Sequence, residues 1–257
     1  MLHRGIETAL RRDRRVVAVS LAVVVGLAWF YLWREAASMN HTGGMRMAVM
    51  PTMDAGTLAV VFVMWVVMMV GMMLPSAAPT VLLYGAMARK NSERGAALPA
   101  VWVFASGYLL VWVGFSIAAT LLQTYLEHAA LLTPMMASAS KRLSGLLLVA
   151  AGIYQLTPLK EICLNTCRNP VQFFVTHWRP GTGGALRMGM GHGAYCVGCC
   201  WMLMLLLFAA GVMNLAWVAL IAAFVFVEKL LPAARLTSRF AGTALILTGF
   251  LVLTGAG

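Results

Sequence analysis

The chain has 257 residues, of which 61% are hydrophobic and only 11% charged, with a mean hydropathy of +0.85. That much apolar surface exceeds what one soluble core conceals and matches a bilayer instead. The net charge of +11 comes without a basic helix carrying interleaved aromatics or a soluble domain to bear one, which excludes nucleic acid as a partner.

The chain reads as about seven apolar spans, at residues 16–33, 57–74 with an extension to 87, 98–122, 143–157, 194–213, 215–231 and 240–254. The fourth is short and the seventh is rich in Thr and Gly. The fold expected is all-α: a polytopic transmembrane helix bundle, one integral membrane domain over 1–257, with no internal repeat. With the N-terminus in the cytosol, every Lys and Arg except Arg34, Arg46, Lys141 and Arg142 falls on the inner side. That is the positive-inside asymmetry, so the charge serves topology and contact with anionic lipid.

Arg11, Arg12, Arg14 and Arg15 precede the first span and Ala36, Ala37 and Ser38 follow it. The layout is that of a secretory signal, but the apolar run is long for one, so it is read as an anchor. The outer segment that follows is dense in thioether, with Met39, Met45, Met47, Met50 and Met53 beside His41. In the second span, Met64, Met68 and Met72 recur every four residues beside Met69 and Met73, a sulfur ladder on adjoining helix faces. Methionine is ordinarily filler in such helices. A Met-rich entrance that leads through a Met ladder towards thiols, however, orders the donors by rising affinity for a soft ion. Pro75 removes a backbone donor and predicts a kink or break there, and broken membrane helices generally line a cavity.

Residues 158–193 read as a long inner loop holding Cys163 and Cys167 at helical spacing, then His177. Its glycines, Gly181, Gly183, Gly184, Gly189, Gly191 and Gly193, read as tight turns before the fifth span. No strand precedes them, so they form no dinucleotide fingerprint. The run His192-Gly-Ala-Tyr-Cys196-Val-Gly-Cys199-Cys200-Trp201 then opens the helix. Its spacing aligns His192, Cys196 and Cys200, with Cys199 on a neighbouring line. Thiolate with imidazole suits Cu(I), Zn(II) or an iron–sulfur cluster, and suits Mg(II) or Ca(II) poorly. A lone cysteine is simply a small buried apolar residue; two helical clusters beside a histidine argue for more. Five cysteines, an odd number, all on the inner side, argue against a disulfide framework.

Asn214 leaves room only for a tight hairpin between the fifth and sixth spans. Glu228 and Lys229, at the inner end of the sixth, read either as part of a site or as an interfacial carboxylate and a snorkelling lysine. His41 and His177 read as solvated loop residues, and His128 beside Glu127 gives no signal.

Three blocks in order carry a resemblance: Trp65-Val-Val-Met68-Met69-Val-Gly-Met72-Met73-Leu-Pro75-Ser76-Ala-Ala-Pro79, Leu159-Lys-Glu-Ile-Cys163-Leu-Asn-Thr-Cys167-Arg-Asn-Pro170, and the His192 to Trp201 run, with Glu228-Lys229 beyond. Over 60–231 the chain resembles a bacterial family of polytopic membrane proteins of unknown function, described as predicted metal-binding and sometimes labelled copper chaperone. The resemblance implies metal handling. The outer Met/His segment and the seventh span lie outside it.

The expectation is therefore a bacterial inner-membrane protein, not an enzyme, that binds a soft metal, Cu(I) first and zinc second. Cys196, Cys199, Cys200 and His192 form the main site, Cys163 and Cys167 complete or exchange with it, and Met68, Met69, Met72 and Met73 make a transit site. Its work is metal transport or delivery to a cuproenzyme, with a metalloenzyme or metallochaperone as partner. Two alternatives stand beside it: a membrane thiol–disulfide oxidoreductase using the Cys196-x-x-Cys199 pair, and an assembly factor whose cysteines are structural. No nucleophile elbow, phosphate loop or paired-carboxylate site supports a hydrolase or kinase.

Overall fold

The computed structural model describes residues 2–41, 55–91, 97–132, 138, 140–231 and 234–255. Met45, Met47, Met50 and Met53 of the outer segment lie outside them, as do the side chains of Met39 and His41. Among the described residues the fold is helical throughout, apart from one isolated bridge between Leu132 and Ser138. The helices are α1 (Leu2–His41), α2 (Ala55–Asn91), α3 (Ala97–His128), α4 (Lys141–Gln155), α5 (Pro158–Arg168), α6 (Pro170–His177), α7 (Gly181–Leu205), α8 (Leu207–Ala210), α9 (Leu215–Leu230) and α10 (Ala234–Thr254).

Among the described residues, five helical stretches are long and apolar enough to cross a membrane, and the pair α4 and α5, bent by 64°, makes a sixth if the two count as one broken span. The expected sixth span is α9, whose 16 residues rise only about 24 Å, short of the roughly 30 Å hydrocarbon core.

The segment expected to be an inner loop is instead helix: Thr157 caps α5 by accepting a hydrogen bond from Lys160 N, and α7 begins at Gly181 with φ +79°. Its later glycines are helical and not turns, and Gly189 and Gly193 are points of contact with the backbone of α3. A Cβ at Gly189 would lie 2.0 Å from Phe104 O, and one at Gly107 would lie 2.3 Å from Leu186 O. Small residues let membrane helices approach closely where no hydrophobic drive pulls them together, so these positions clamp α3 against α7. The same device joins α4 to α10, where a Cβ at Gly152 would meet Gly242 O at 2.7 Å.

Pro75 and Pro79 sit inside α2, which runs on through both instead of breaking. The reason is visible in the hydrogen bonds. Pro75 cannot donate to Gly71 O, and Trp29 Nε1 of α1 donates to it at 3.3 Å. Two residues on, Met73 O receives both Ser76 Oγ at 2.8 Å and Tyr108 Oη at 3.2 Å. Side chains of α1 and α3, with Ser76 of α2 itself, thus bond the carbonyls around the proline. The expected hairpin at Asn214 is present: Gly211 turns at φ +100° and Asn214 Oδ1 caps α9 by accepting from Trp217 N.

Candidate metal centre

The cysteines of α7 are not at its mouth. Cys196 stands 15 residues after Gly181 in a 30-residue apolar stretch that ends at Ala210, so it lies about 22 Å along the helix, near mid-span. The earlier start of α7 displaces the site inward from the lipid boundary. Helical spacing holds: Cys199 Sγ and Cys200 Sγ both turn back to Cys196 O, at 3.1 and 3.0 Å.

Three helices bring sulfur to this point. From α5, Cys167 is buried in the same core cluster as Cys196, Cys199 and Cys200. From α2, Met73 Sδ lies 3.9 Å from Cys200 Sγ. Cys163, one turn before Cys167, packs on α7 where Gly198 leaves room; a Cβ there would lie 2.8 Å from Cys163 Sγ. All five cysteines are free thiols, and only Cys163 is not buried. Met68, Met69 and Met72 are buried in the same core cluster as the cysteines, so the Met ladder faces the protein interior rather than lipid. Among the described residues, no group of three or more His, Cys, Asp or Glu side chains stands in a preformed metal-holding arrangement. The Cys199 and Cys200 thiols instead turn to the Cys196 carbonyl, and Cys200 also to the Met73 thioether.

His192 is set apart from this network. It is buried one turn before Cys196, with ring centroids of Phe173, Tyr108 and Phe104 at 5.5, 5.9 and 6.3 Å, and its Nδ1 has no hydrogen-bond partner. The structure therefore joins Cys167, Cys196, Cys199, Cys200 and Met73, lays Cys163 against their helix, and holds His192 in an aromatic cage beside them.

Charge enters through α9. Lys229 Nζ, buried, donates to Cys196 Sγ at 2.9 Å and to Ser76 Oγ at 3.0 Å. Tyr108 Oη lies 3.1 Å from the same sulfur. Lys229 is thus not a snorkelling lysine: its ammonium points into the sulfur cluster. Its neighbour Glu228 faces the other way, into a buried ion pair with Lys160, to which Gln155 and Ser238 add hydrogen bonds. Lys160, expected among the exposed inner-side cations, is only 1% exposed, because the first turn of α5 packs inward. Tyr108 and Ser76 escaped the sequence reading. Nothing in a lone Tyr or Ser marks it as a partner of a distant thiol, and Glu228-Lys229 in an apolar stretch left a buried site as one of two readings.

The described residues thus form a helix bundle with several helices long and apolar enough to cross a membrane, and cysteine and methionine gathered in its core. Sequence comparison makes the family definite. The chain belongs to the copper chaperone family PpoB2, whose sequence profile matches residues 62–252. The match takes in the Met ladder, both cysteine clusters and Glu228-Lys229, and runs on into α10, further than the three motif blocks reach. No curated protein and no solved structure is significantly similar.

Proposed function

We propose that this protein carries Cu(I) within the membrane, held by two thiolates drawn from Cys167, Cys196, Cys199 and Cys200 with Met73 as a thioether donor, for transport or for delivery to a copper enzyme. The observation that carries the proposal is the meeting of sulfur from α2, α5 and α7 around one buried ammonium. Soft thiolate and thioether donors select Cu(I), and an apolar enclosure protects the reduced ion from water. Bound thiols must give up their protons. Two thiolates and one Cu(I) sum to a single negative charge, and the Lys229 ammonium brings the whole to neutrality, which a low-dielectric interior demands. Zn(II) is the second choice, since it asks for a closed tetrahedral set.

The Met ladder supplies weaker sites on the way in or out, and Cys163, the less buried thiol, is the point of exchange. His192 serves as a fallback ligand through its unpartnered Nδ1. The topology that goes with this reading has the N-terminus in the cytosol of a bacterium and the bundle in its inner membrane, as one domain. Burial counts against the oxidoreductase alternative: Cys196 and Cys199 lie in the core, out of reach of a protein disulfide, and exchange needs access for the attacking thiol.

The test is elemental analysis of the full chain, solubilised in detergent with thiols protected. Wild type is expected to hold copper near one equivalent, and Cys196→Ser with Cys199→Ser to hold none. A trapped mixed disulfide in Cys199→Ser, with no metal in the wild type, would establish redox exchange instead.

A further inference from the structure

Away from the sulfur cluster, the end of α4, the first turns of α5 and the start of α10 enclose a cleft of about 50 Å³, lined by Gln155, Lys160, Arg168, Arg235, Ser238 and Arg239. Its charges do not cancel. Lys160 is matched by Glu228, and Arg235 by Glu161, whereas among the described residues no carboxylate pairs with Arg168 or Arg239.

Two buried polar atoms on the lining residues have no partner, Gln155 Nε2 and Arg168 Nε, and both are donors. The assignment of the amide is forced, because Gln155 Oε1 accepts from Lys160 Nζ and an ammonium can only donate. Gln155 is 4% exposed, so bulk water does not satisfy its Nε2. Buried donors that lack acceptors are costly and rare. What this cleft lacks is therefore an acceptor, and two guanidinium groups without a carboxylate beside it, of which Arg168 already gives Nη2 to Leu231 O, call for a negative one. The N-terminal turn of α5, capped at Thr157, adds the positive end of its helix dipole.

We infer that the cleft between α4, α5 and α10 binds a single phosphate group, accepting hydrogen bonds from Gln155 and Arg168 and charge from Arg239. Its size agrees: at roughly 10–15 Å³ for each water centre, the cleft admits a group with about four polar atoms, one phosphate and not a nucleotide. Its position supplies the source. Arg235 opens the last apolar stretch, Arg235–Thr254, so the cleft sits at the end of a candidate span, where phospholipid headgroups lie and basic pockets between helices bind them. A free phosphate offers the same chemistry.

The experiment follows the thermal midpoint of the full chain, stripped of lipid in a neutral detergent. Two titrations are made: inorganic phosphate against chloride at equal ionic strength, and phosphatidylglycerol against phosphatidylcholine. A rise with phosphatidylglycerol alone supports the site with a lipid headgroup as occupant, and a rise with inorganic phosphate supports it with a soluble one. In either case Arg168→Gln weakens the response by at least about tenfold, as losing a charge-assisted hydrogen bond does, and Arg239→Gln weakens it by about twofold or more, as losing an exposed charge does. Arg239 is exposed, so R239Q keeps the fold and carries the test where R168Q does not express. No response to either probe, or a response that R239Q leaves unchanged, overturns the site. The readout needs no copper, so that failure would leave the metal reading untouched.

Discussion

Two buried lysines, on helices that touch, are treated in opposite ways. Lys160 meets a carboxylate: Glu228 sits against its ammonium, with Gln155 and Ser238 completing the cage. Lys229, one residue further along α9, meets none. Its partners are the thiol of Cys196 and the hydroxyl of Ser76. A buried ammonium without a carboxylate is expensive, and a fold that needed only stability would have given both lysines the same partner. The first pair ties α5 to α9. The second places a positive charge where a sulfur-bound cation would leave a negative excess.

This contrast is open to attack by substitution. The largest effect is expected from Cys196→Ser, which removes the sulfur at the centre of the hydrogen-bond network: copper retention falls from near stoichiometric to near nothing by elemental analysis. Next is Glu228→Gln, which leaves Lys160 charged and unpaired. Unfolding followed by the thermal midpoint is expected to show a loss of about 3–5 kcal/mol, with copper stoichiometry unchanged in the protein that remains folded. Lys229→Met reverses the pattern: a chain of similar length fills the space, the fold survives, and copper affinity measured by chelator competition drops about tenfold, as for the loss of a charge-assisted hydrogen bond. Should K229M unfold the protein while E228Q does not, the division of labour between the two lysines fails. Met73→Leu is the mildest. The volume is conserved, so stability changes by less than about 1.5 kcal/mol, while copper affinity falls by less than about tenfold because thiolates remain.

How far the sequence revealed this arrangement depends on the range of the interaction. Hydropathy exposed α1, α2, α3, α7 and α10, because a span of that length has no other use. The four-residue spacing of Cys196 and Cys200 was enough to place both on one helical line. The sequence misled where apolar period and helix parted company. Residues 181–193 carry too much glycine to look helical, yet they are helix, because Gly189 presses on the backbone of α3 and the packing outweighs the propensity. That error put the thiols at a helix mouth when they lie at mid-span. At Pro75 the helix runs on without a break, and no local rule shows that Trp29 waits on another helix to donate to Gly71 O. Cys167 approaching Cys196, and Lys229 approaching both Cys196 and Ser76, are tertiary facts that no spacing encodes.

The central claim is that one soft ion sits among these sulfurs. X-ray absorption at the copper edge, on the detergent-purified full chain loaded with Cu(I), tests it most directly. A first coordination shell made of sulfur alone, abolished by C196S, is the result expected. A shell dominated by nitrogen or oxygen, or copper bound equally well after C196S, would contradict it.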